Sequence, residues 1–456
     1  MGKIQIDYLS NIDNEEKKAI IYRSSLELGK VMSEVIEPLA ADLREQTKEK
    51  ILKYTEKWDK TRPDPLVLTQ DDLKNIYNKL NKERPEVIAA FASAAENITE
   101  FHKQQIPVPL ETQVGANKLG LKFVPFDRVA LYVPGGKARY PSSVLMGIIP
   151  AKIAGVKDIT IISPPDPATG KTPEVVQAIA HMAGADRIVQ AGGAQAVIGM
   201  AYGIPEEEVQ PVDFIYGPGN VFVAAAKNFV FSNNLCGIDS FAGPSEVLII
   251  SDETANPAYL AHDLLAQAEH DENASAILLT TSIKSANETV EHIEKALQSR
   301  NERRKITSEA MERNGRILVV DSLEEAIEFS NLYAPEHLEI QTKEDETILS
   351  KITAAGSVFV GPHAPVAVGD YFSGTNHILP TNRGARFSSG VSVHTFFRRI
   401  TYQYVSREGL EASKDPITIM SKEEGLFDEH GYSVLARFEN SDKKVVKTDG
   451  ILDLEA

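Results

Sequence analysis

Two neighbouring side chains in the segment Tyr333-Ala334-Pro335-Glu336-His337-Leu338-Glu339 could move protons. A carboxylate and an imidazole are the groups best suited to proton transfer near neutral pH. The stretch before them, 322–332, reads as a helix, and 337–340 alternates like a short strand. Glu336 and His337 therefore fall where a helix hands over to a strand, a place where α/β enzymes hold reactive groups. The same pair also suits a capped helix end facing solvent. Its weight depends on what the rest of the chain brings to it.

A second group of residues has the chemistry of a metal site. Gln267-Ala268-Glu269-His270 closes a helix expected over 256–270, and positions 267 and 270 share one face. Zinc binds His nitrogen and accepts oxygen ligands. A Gln amide is an unusual ligand, and a plain polar helix end fits the same letters. Further along come Gly369-Asp370-Tyr371, Gly374-Thr375-Asn376-His377 and Asp428-Glu429-His430. Any zinc site here collects ligands from distant segments, without the short Cys or His spacings that make a zinc assignment specific. His102, His181 and His292 fall on helices with nothing around them and are assigned to the surface.

Glycines cluster after strands at Pro134-Gly135-Gly136, Ala191-Gly192-Gly193 and Gly217-Pro218-Gly219-Asn220. Glycine permits positive φ and close approach of a ligand to the backbone. Each cluster precedes a helix whose free N–H groups can hold a phosphate. Tight, ligand-free strand-to-helix turns would look the same. The full Gly-x-Gly-x-x-Gly fingerprint is absent, so a dinucleotide would bind in a non-standard way.

The elements that must position these residues form an alternating series. From residue 121 strands are expected over 121–133, 158–162, 187–190 and 213–216, with helices over 141–155, 173–183, 194–202 and 220–231. A second series follows: strands 246–251, 275–281, 316–320, 337–340 and 357–360, with helices 256–270, 284–299 and 322–332. Strict alternation implies βαβ crossovers and mostly parallel sheets. Residues 1–60 read as helical with a break at Pro38, 61–65 as a Pro-rich interruption, and 70–104 as one helix. Beyond residue 391 the chain reads as helical and charged, with a polar tail from Asn440.

Composition sets limits on function. With 456 residues the chain has room for two or three domains. A net charge of −17 argues against nucleic-acid binding, which calls for the opposite sign. The most apolar run, 144–156, is interrupted by Pro150 and Lys152, so no membrane span is expected. The first twenty residues carry too many charges for a signal peptide. The lone Cys236 cannot form an internal disulfide and has no base beside it, so it reads as structural. The expected location is the cytoplasm, with a small-molecule substrate.

The motifs together resemble the histidinol dehydrogenase family. The matching stretches are Leu131-Tyr132-Val133-Pro134-Gly135-Gly136, Ala191-Gly192-Gly193-Ala194-Gln195, Gly217-Pro218-Gly219-Asn220 and Ala242-Gly243-Pro244-Ser245-Glu246. They continue with Gln267-Ala268-Glu269-His270, Ala334-Pro335-Glu336-His337-Leu338-Glu339, Gly369-Asp370-Tyr371 and Asn376-His377-Ile378-Leu379-Pro380-Thr381. The resemblance implies an α/β fold with two incomplete Rossmann-like domains, mostly parallel sheets and small helical terminal appendages that intertwine in a homodimer. On this basis we assign 1–40 to an N-terminal appendage, 41–131 with 246–390 to a discontinuous domain, 132–245 to an NAD-binding domain and 391–456 to a C-terminal appendage.

The resemblance also implies roles. Gln267, His270, Asp370 and His430 would bind one zinc ion per subunit, and substrate with it. Glu336 and His337 would be the acid–base pair, with His337 also touching substrate. Ser245, His377 and Glu424 would contact substrate, and Tyr132, Gln195 and Asn220 would contact NAD. The implied reaction is the four-electron oxidation of L-histidinol to L-histidine through histidinaldehyde, the last step of histidine biosynthesis, in a site shared between subunits. Two departures stand out. The family's Glu five residues before the last ligand falls on Gly425 here, with Glu424 one place earlier, and Ser392-Val393-His394-Thr395-Phe396 replaces a more common Asp-Phe version.

Three other readings stay open. A paralogous NAD-dependent zinc alcohol dehydrogenase would act on another small polar alcohol such as dihydroxypropanesulfonate, though such relatives tend to lose the Pro kept here as Pro335. A zinc hydrolase would use Glu336 as base without NAD, against the evidence of the glycine turns. A non-catalytic binding protein would have no need of both Glu336 and His337.

Overall fold

A computed structural model describes residues 4–23, 28–45, 47–135, 139–240, 243–299 and 303–439. Gly136, Ala242 and the tail from Asn440 lie outside them. The chain forms two compact units. The larger joins Met1–Ile106 to Pro125–Phe397, and the smaller joins Pro107–Val124 to the chain from Arg398.

The larger unit holds two six-stranded sheets. The first runs, in spatial order, Val67–Leu68, Arg187–Val189, Asp158–Ile162, Arg128–Tyr132, Phe214–Tyr216 and Gly237–Ile238. All its pairs are parallel except the antiparallel edge strand Val67–Leu68. The second runs Ile6–Tyr8, Gly315–Val319, Ser275–Thr280, Glu246–Ser251, His337–Gln341 and Ser357–Val360, parallel throughout. Their central strands are apolar on both sides because both faces are covered. Val129 and Leu131 enter one core while Ala130 and Tyr132 enter another. Val247 and Ile249 are separated from Leu248 and Ile250 in the same way.

The α/β series expected from the sequence is present, and several parts of the reading need correction. The domain boundary at 131 cuts through the first sheet: Val67–Leu68 and Arg128–Tyr132 pair with strands of 158–238, while Pro85–Lys103 also touches the later chain, Asn97 Nδ2 donating to the Phe372 carbonyl at 2.8 Å. The N-terminal appendage is not purely helical, since Ile6–Tyr8 is the edge strand beside Gly315–Val319. Pro38 does not break its helix. The turn before it widens, with the Glu37 N–H bonding back to the Met32 carbonyl, and the missing Pro N–H is absorbed there. The helix expected over 70–104 is two helices, Gln70–Glu83 and Pro85–Lys103, with Pro85 starting the second. A helix at Arg304–Asn314 was not anticipated. His102 is fully buried, its Nδ1 bonded to Gln105 Oε1 at 2.8 Å, and is a core histidine. His181 is half-buried and His292 is exposed.

The smaller unit also departs from the helical expectation. Phe397–Tyr404 is a strand, as its aromatic and β-branched residues favour, and it pairs with Asn117–Pro125 of a hairpin completed by Leu110–Val114. The polar stretch 406–416 is mostly helical, in keeping with that expectation. Ser406 caps the helix Arg407–Glu423, accepting from the Gly409 N–H.

In each large sheet the chain reverses its winding between two adjacent strands. In the first these are Arg128–Tyr132 and Phe214–Tyr216, and in the second Glu246–Ser251 and His337–Gln341. Ligands of open parallel sheets bind at such switch points. The turn after Phe214–Tyr216 is held hard in place. Lys227 Nζ bonds the Gly217 carbonyl and Asp239 Oδ1, each at 2.6 Å, and the Gly217 N–H donates to Asp239 Oδ2 at 2.8 Å. Gly217 has φ of 109°, and a Cβ there would overlap the Tyr132 carbonyl oxygen. Gly217→Ala should therefore lower the unfolding free energy by about 2–4 kcal/mol. Urea denaturation would measure this; an unchanged midpoint at unchanged slope would contradict it.

Candidate active site

The helix Leu323–Tyr333 ends on Ala334 in the left-handed region, φ 47° and ψ 68°. This turns the chain so that Pro335 and Glu336 lead straight into the strand His337–Gln341. Across the switch point stands Glu246, the first residue of its strand. Glu336 Oε2 accepts from the Glu246 N–H at 2.8 Å, and the Glu336 N–H donates to the Glu246 carboxylate at 3.3 Å. His337 Nδ1 lies 3.0 Å from the Glu246 carbonyl oxygen. A carbonyl only accepts, so Nδ1 carries the proton and Nε2 presents its lone pair. That Nε2 is buried, lacks a hydrogen-bond partner among the described residues, and lies 3.9 Å from an Asp370 carboxylate oxygen.

Burial acts on the two side chains in opposite directions. It pushes the Glu336 carboxyl well above the usual carboxylate range, helped by the negative charge of Glu246. It lowers His337, with Asp370 opposing. The imidazole is thus held neutral, with its Nε2 lone pair facing the cavity. Glu246 is itself raised by burial, and Arg23 opposes this through an ion pair at 2.6 Å.

Ser245, His270, Glu336, His337, Asp370 and His377 line one cavity of about 330 Å³. His377 Nδ1 donates to the Asp370 carbonyl at 2.8 Å, which leaves its Nε2 to accept from the Ser143 hydroxyl at 3.0 Å. Ser143 belongs to the helix Pro141–Ala154 beside the first sheet. Pro218, just past the carboxyl end of a strand of that sheet, also lines the cavity. The cavity therefore lies where the carboxyl edge of the first sheet meets the amino edge of the second.

The residues present fit a bound cation. Gln267 is fully buried, and neither its amide oxygen nor its amide nitrogen has a hydrogen-bond partner among the described residues. Leaving such a group unsatisfied costs about 1–3 kcal/mol, which coordination of its oxygen would relieve. His270 follows one turn later and Asp370 shares its cavity. Among the described residues no three His, Cys, Asp or Glu side chains converge as a metal cluster. A set of one amide, one imidazole and one carboxylate from this unit has only two side chains of those types. His430 and Glu424 lie in the smaller unit, both exposed. Gly425 ends the helix Arg407–Glu423 at φ 70°, a turn that favours glycine where the family pattern has Glu.

A second cavity, of about 470 Å³, opens at the carboxyl edge of the first sheet, with Trp58, Asp59, Gly135, Arg139 and Pro164 in its wall. The expected NAD contacts Tyr132, Gln195 and Asn220 are not among the residues of its wall. Tyr132 is buried, and its hydroxyl accepts from the Gly193 N–H at 3.0 Å. Burial pushes this phenol up to about 12. Gln195 Nε2 donates to Asp59 at 3.3 Å, and its buried Oε1 has no partner among the described residues. Asn220 is exposed and caps the helix Val221–Ser232, accepting from the Phe222 and Val223 N–H groups. Cys236 is held near 12 by burial and is no nucleophile.

Comparison with known proteins gives the family. The family model described as Histidinol dehydrogenase matches residues 22–438. The chain belongs to the histidinol dehydrogenase family. It is 44% identical to the histidinol dehydrogenase of Leptospira interrogans serovar copenhageni over 435 residues, 95% of this chain and 99% of that one. It is 44% identical to that of Methanocaldococcus jannaschii, over 92% of this chain and 96% of the relative. The crystal structure of histidinol dehydrogenase from Elizabethkingia anophelis superposes with a TM-score of 0.89 at 36% identity, covering 96% of this chain and 99% of the other. None of these relatives supports the dihydroxypropanesulfonate alternative.

Sequence reasoning assigned no role to Glu246, although it stands in a family motif. A charged residue opening the otherwise apolar strand Glu246–Ser251 was the available signal. Ser143, Trp58 and Asp59 gave no comparable signal. For Glu336 the raised carboxyl has a consequence for stability. A carboxyl whose folded pKa exceeds its unfolded one favours folding below the unfolded value and loses that contribution as pH rises through the folded value. In protein stripped of divalent metal, Glu336→Gln should thus be more stable than wild type at about pH 8, with the gain shrinking toward about pH 5. Chemical denaturation at both pH values would decide, and a pH-independent difference would contradict the burial argument.

Proposed function

We propose that the cavity of Glu336 and His337 is where this chain oxidises histidinol to histidine in two NAD-dependent stages. The family is NAD-dependent and zinc-binding, and its reaction belongs to histidine biosynthesis. The observation that supports the cavity as the site is the geometry of His337: Nδ1 committed to the Glu246 carbonyl, Nε2 free and facing Asp370.

Gln267, His270 and Asp370 of this unit would hold zinc, with His430 of the partner subunit as fourth ligand. When bound, zinc would fix the amine and imidazole of the substrate, and NAD would take a hydride in each stage. His337 Nε2 accepts the alcohol proton in the first stage. Glu336 activates a water against the aldehyde in the second. Ser245 and His377 orient the substrate, the latter with its ring fixed by Ser143 and Asp370. Glu424 stays a candidate substrate contact from the smaller unit. Tyr132, Gln195 and Asn220 shape the glycine turns around NAD.

The functional division we propose follows the sheets, with the first serving NAD and the second serving metal and proton transfer. We place the enzyme in the cytoplasm; among the described residues no helix is long and apolar enough to cross a membrane. Limiting histidinol should yield two NADH per molecule in an end-point assay. A ratio of one with aldehyde accumulating would refute the four-electron reading. Glu336→Gln should impair the second stage more than the first.

The homodimer is part of the same proposal. In the smaller unit Tyr404, Val405, Ile419, Met420, Leu426 and Tyr432 are all exposed, which suits a surface covered by a partner. A His430→Ala chain and a Glu336→Ala chain should each be inactive alone, and co-expression should restore part of the activity. A mixed dimer then has one site with an intact body and an intact tail. If His430 served its own chain, every site would keep one defect and mixing would restore nothing.

A further inference from the structure

Two buried carboxyl groups beneath the cavity have no part in the chemistry above. Glu339 is fully buried and Asp263 nearly so. Glu339 points to the same face of its strand as His337 and Gln341. Its carboxyl is hydrogen-bonded to that of Asp263. Gln341 Nε2 donates to both, at 3.1 Å to Asp263 Oδ2 and 2.9 Å to Glu339 Oε2. The Val366 N–H donates to Glu339 Oε1 at 3.2 Å.

This group of three side chains joins three elements. Asp263 lies in the helix Pro257–Ala268, one turn before Gln267. Glu339 lies in the strand His337–Gln341, two residues after His337. Val366 begins the short helix Val366–Tyr371, one turn before Asp370. Each element thus carries a residue of the proposed site near the bonded group: Gln267 four positions after Asp263, His337 two before Glu339 and Asp370 four after Val366. The surrounding face is otherwise apolar, with Val247, Ile249, Leu260 and Leu264 packed beside it. Apolar side chains could fill that space at lower desolvation cost, so stability alone does not account for two carboxyls there.

We propose that Glu339 is a positioning residue which, with Asp263, sets the spacing between the metal-binding side of the cavity and His337. The proposal rests on the reading of Gln267 and Asp370 as metal ligands. Two carboxyl oxygens bond to each other only through a proton, so the pair carries one between them. Burial, and the negative charge of Asp263, push Glu339 well above the usual carboxylate range and place the proton there. A protonated Glu339 donates to Asp263 and still accepts from Val366 at Oε1 and from Gln341 at Oε2; an amide in its place keeps the donor to Asp263 and the acceptor for Val366 and loses only the acceptor for Gln341.

The test compares full-length wild type, Glu339→Gln and Glu339→Leu, each purified with its zinc. Zinc per chain, the rate of zinc release to a chromogenic chelator, kcat and KM for histidinol, and the melting temperature are measured. Glu339→Gln, which keeps the bonds to Asp263 and Val366, should stay close to wild type in zinc content, zinc release and kcat. Glu339→Leu should release zinc about tenfold faster and lose kcat, at a melting temperature close to wild type. Wild-type zinc release, kcat and KM in Glu339→Leu would overturn the proposal, as would Glu339→Gln failing as badly as Glu339→Leu. Should Glu339→Leu not fold, Asp263→Asn and Asp263→Ala read the same quantity from the other partner. Retention in Asn with fast release in Ala supports the proposal, and wild-type release in both overturns it. Wild-type protein without zinc would refute the ligand reading and this proposal with it. Zinc held equally by wild type and Glu339→Leu would refute the proposal alone.

Discussion

The backbone of Glu246 donates to the Glu336 carboxylate and accepts from the His337 ring, and the geometry of the proposed proton transfer hangs on those two bonds. Backbone groups do not titrate, and Glu246 is fixed by parallel pairing with Ser275–Thr280 on one side and His337–Gln341 on the other. The orientation of both reactive side chains is therefore a property of the sheet. The Glu246 side chain completes the arrangement by accepting from the Glu336 and Asn382 N–H groups. Its charge is met by Arg23, which also donates to the Tyr333 carbonyl at 3.0 Å and lies over the Tyr333 ring at 3.4 Å. The N-terminal segment is in this way tied to the turn that delivers the pair.

Burial gives the pair its reactivity and opposes part of its work. For His337 the effect is simple, because desolvation keeps the ring neutral and able to accept a proton. For Glu336 it runs the other way. A base that activates water has to be ionised, and both desolvation and Glu246 resist that. Arg23 opposes them from behind. A cation beside Asp370 would act in the same direction from the front. The site is thus built so that ionisation of Glu336 depends on what else is bound, whereas the neutrality of His337 does not.

Most of the fold was legible because the chain alternates long apolar strands with amphipathic helices. Glu246–Ser251 and Ser357–Val360 were read to the residue. What escaped were elements whose stability comes from distant partners. Val67–Leu68 and Ile6–Tyr8 are too short to announce themselves and exist as edges of sheets built elsewhere. Phe397–Tyr404 was hidden by charged flanks and is a strand only because the hairpin pairs with it. In the site, glycine turns and motif residues stood out as letters. The roles of Arg23 and Ser143 did not, since each acts through hydrogen bonds to residues more than two hundred positions away.

The two sheets also use opposite edges. In the first, the glycine turns follow the carboxyl ends of the strands, where open parallel sheets usually bind ligands. In the second, His337 and Ser245 stand at the amino edge, as does Glu246. The helix geometry accounts for this. Pro257–Ala268 returns antiparallel to the strand before it, so its last turn, with Gln267 and then His270, arrives back at the amino edge. A ligand set built on a helix C-terminus can meet an acid–base pair only at that edge. With the carboxyl edge of the first sheet contributing Pro218 to the same cavity, a cofactor on the glycine turns and a substrate beside His337 approach each other from two different sheets. Neither sheet needs a long loop to reach across. The proposed catalytic residues accordingly sit at strand and helix ends.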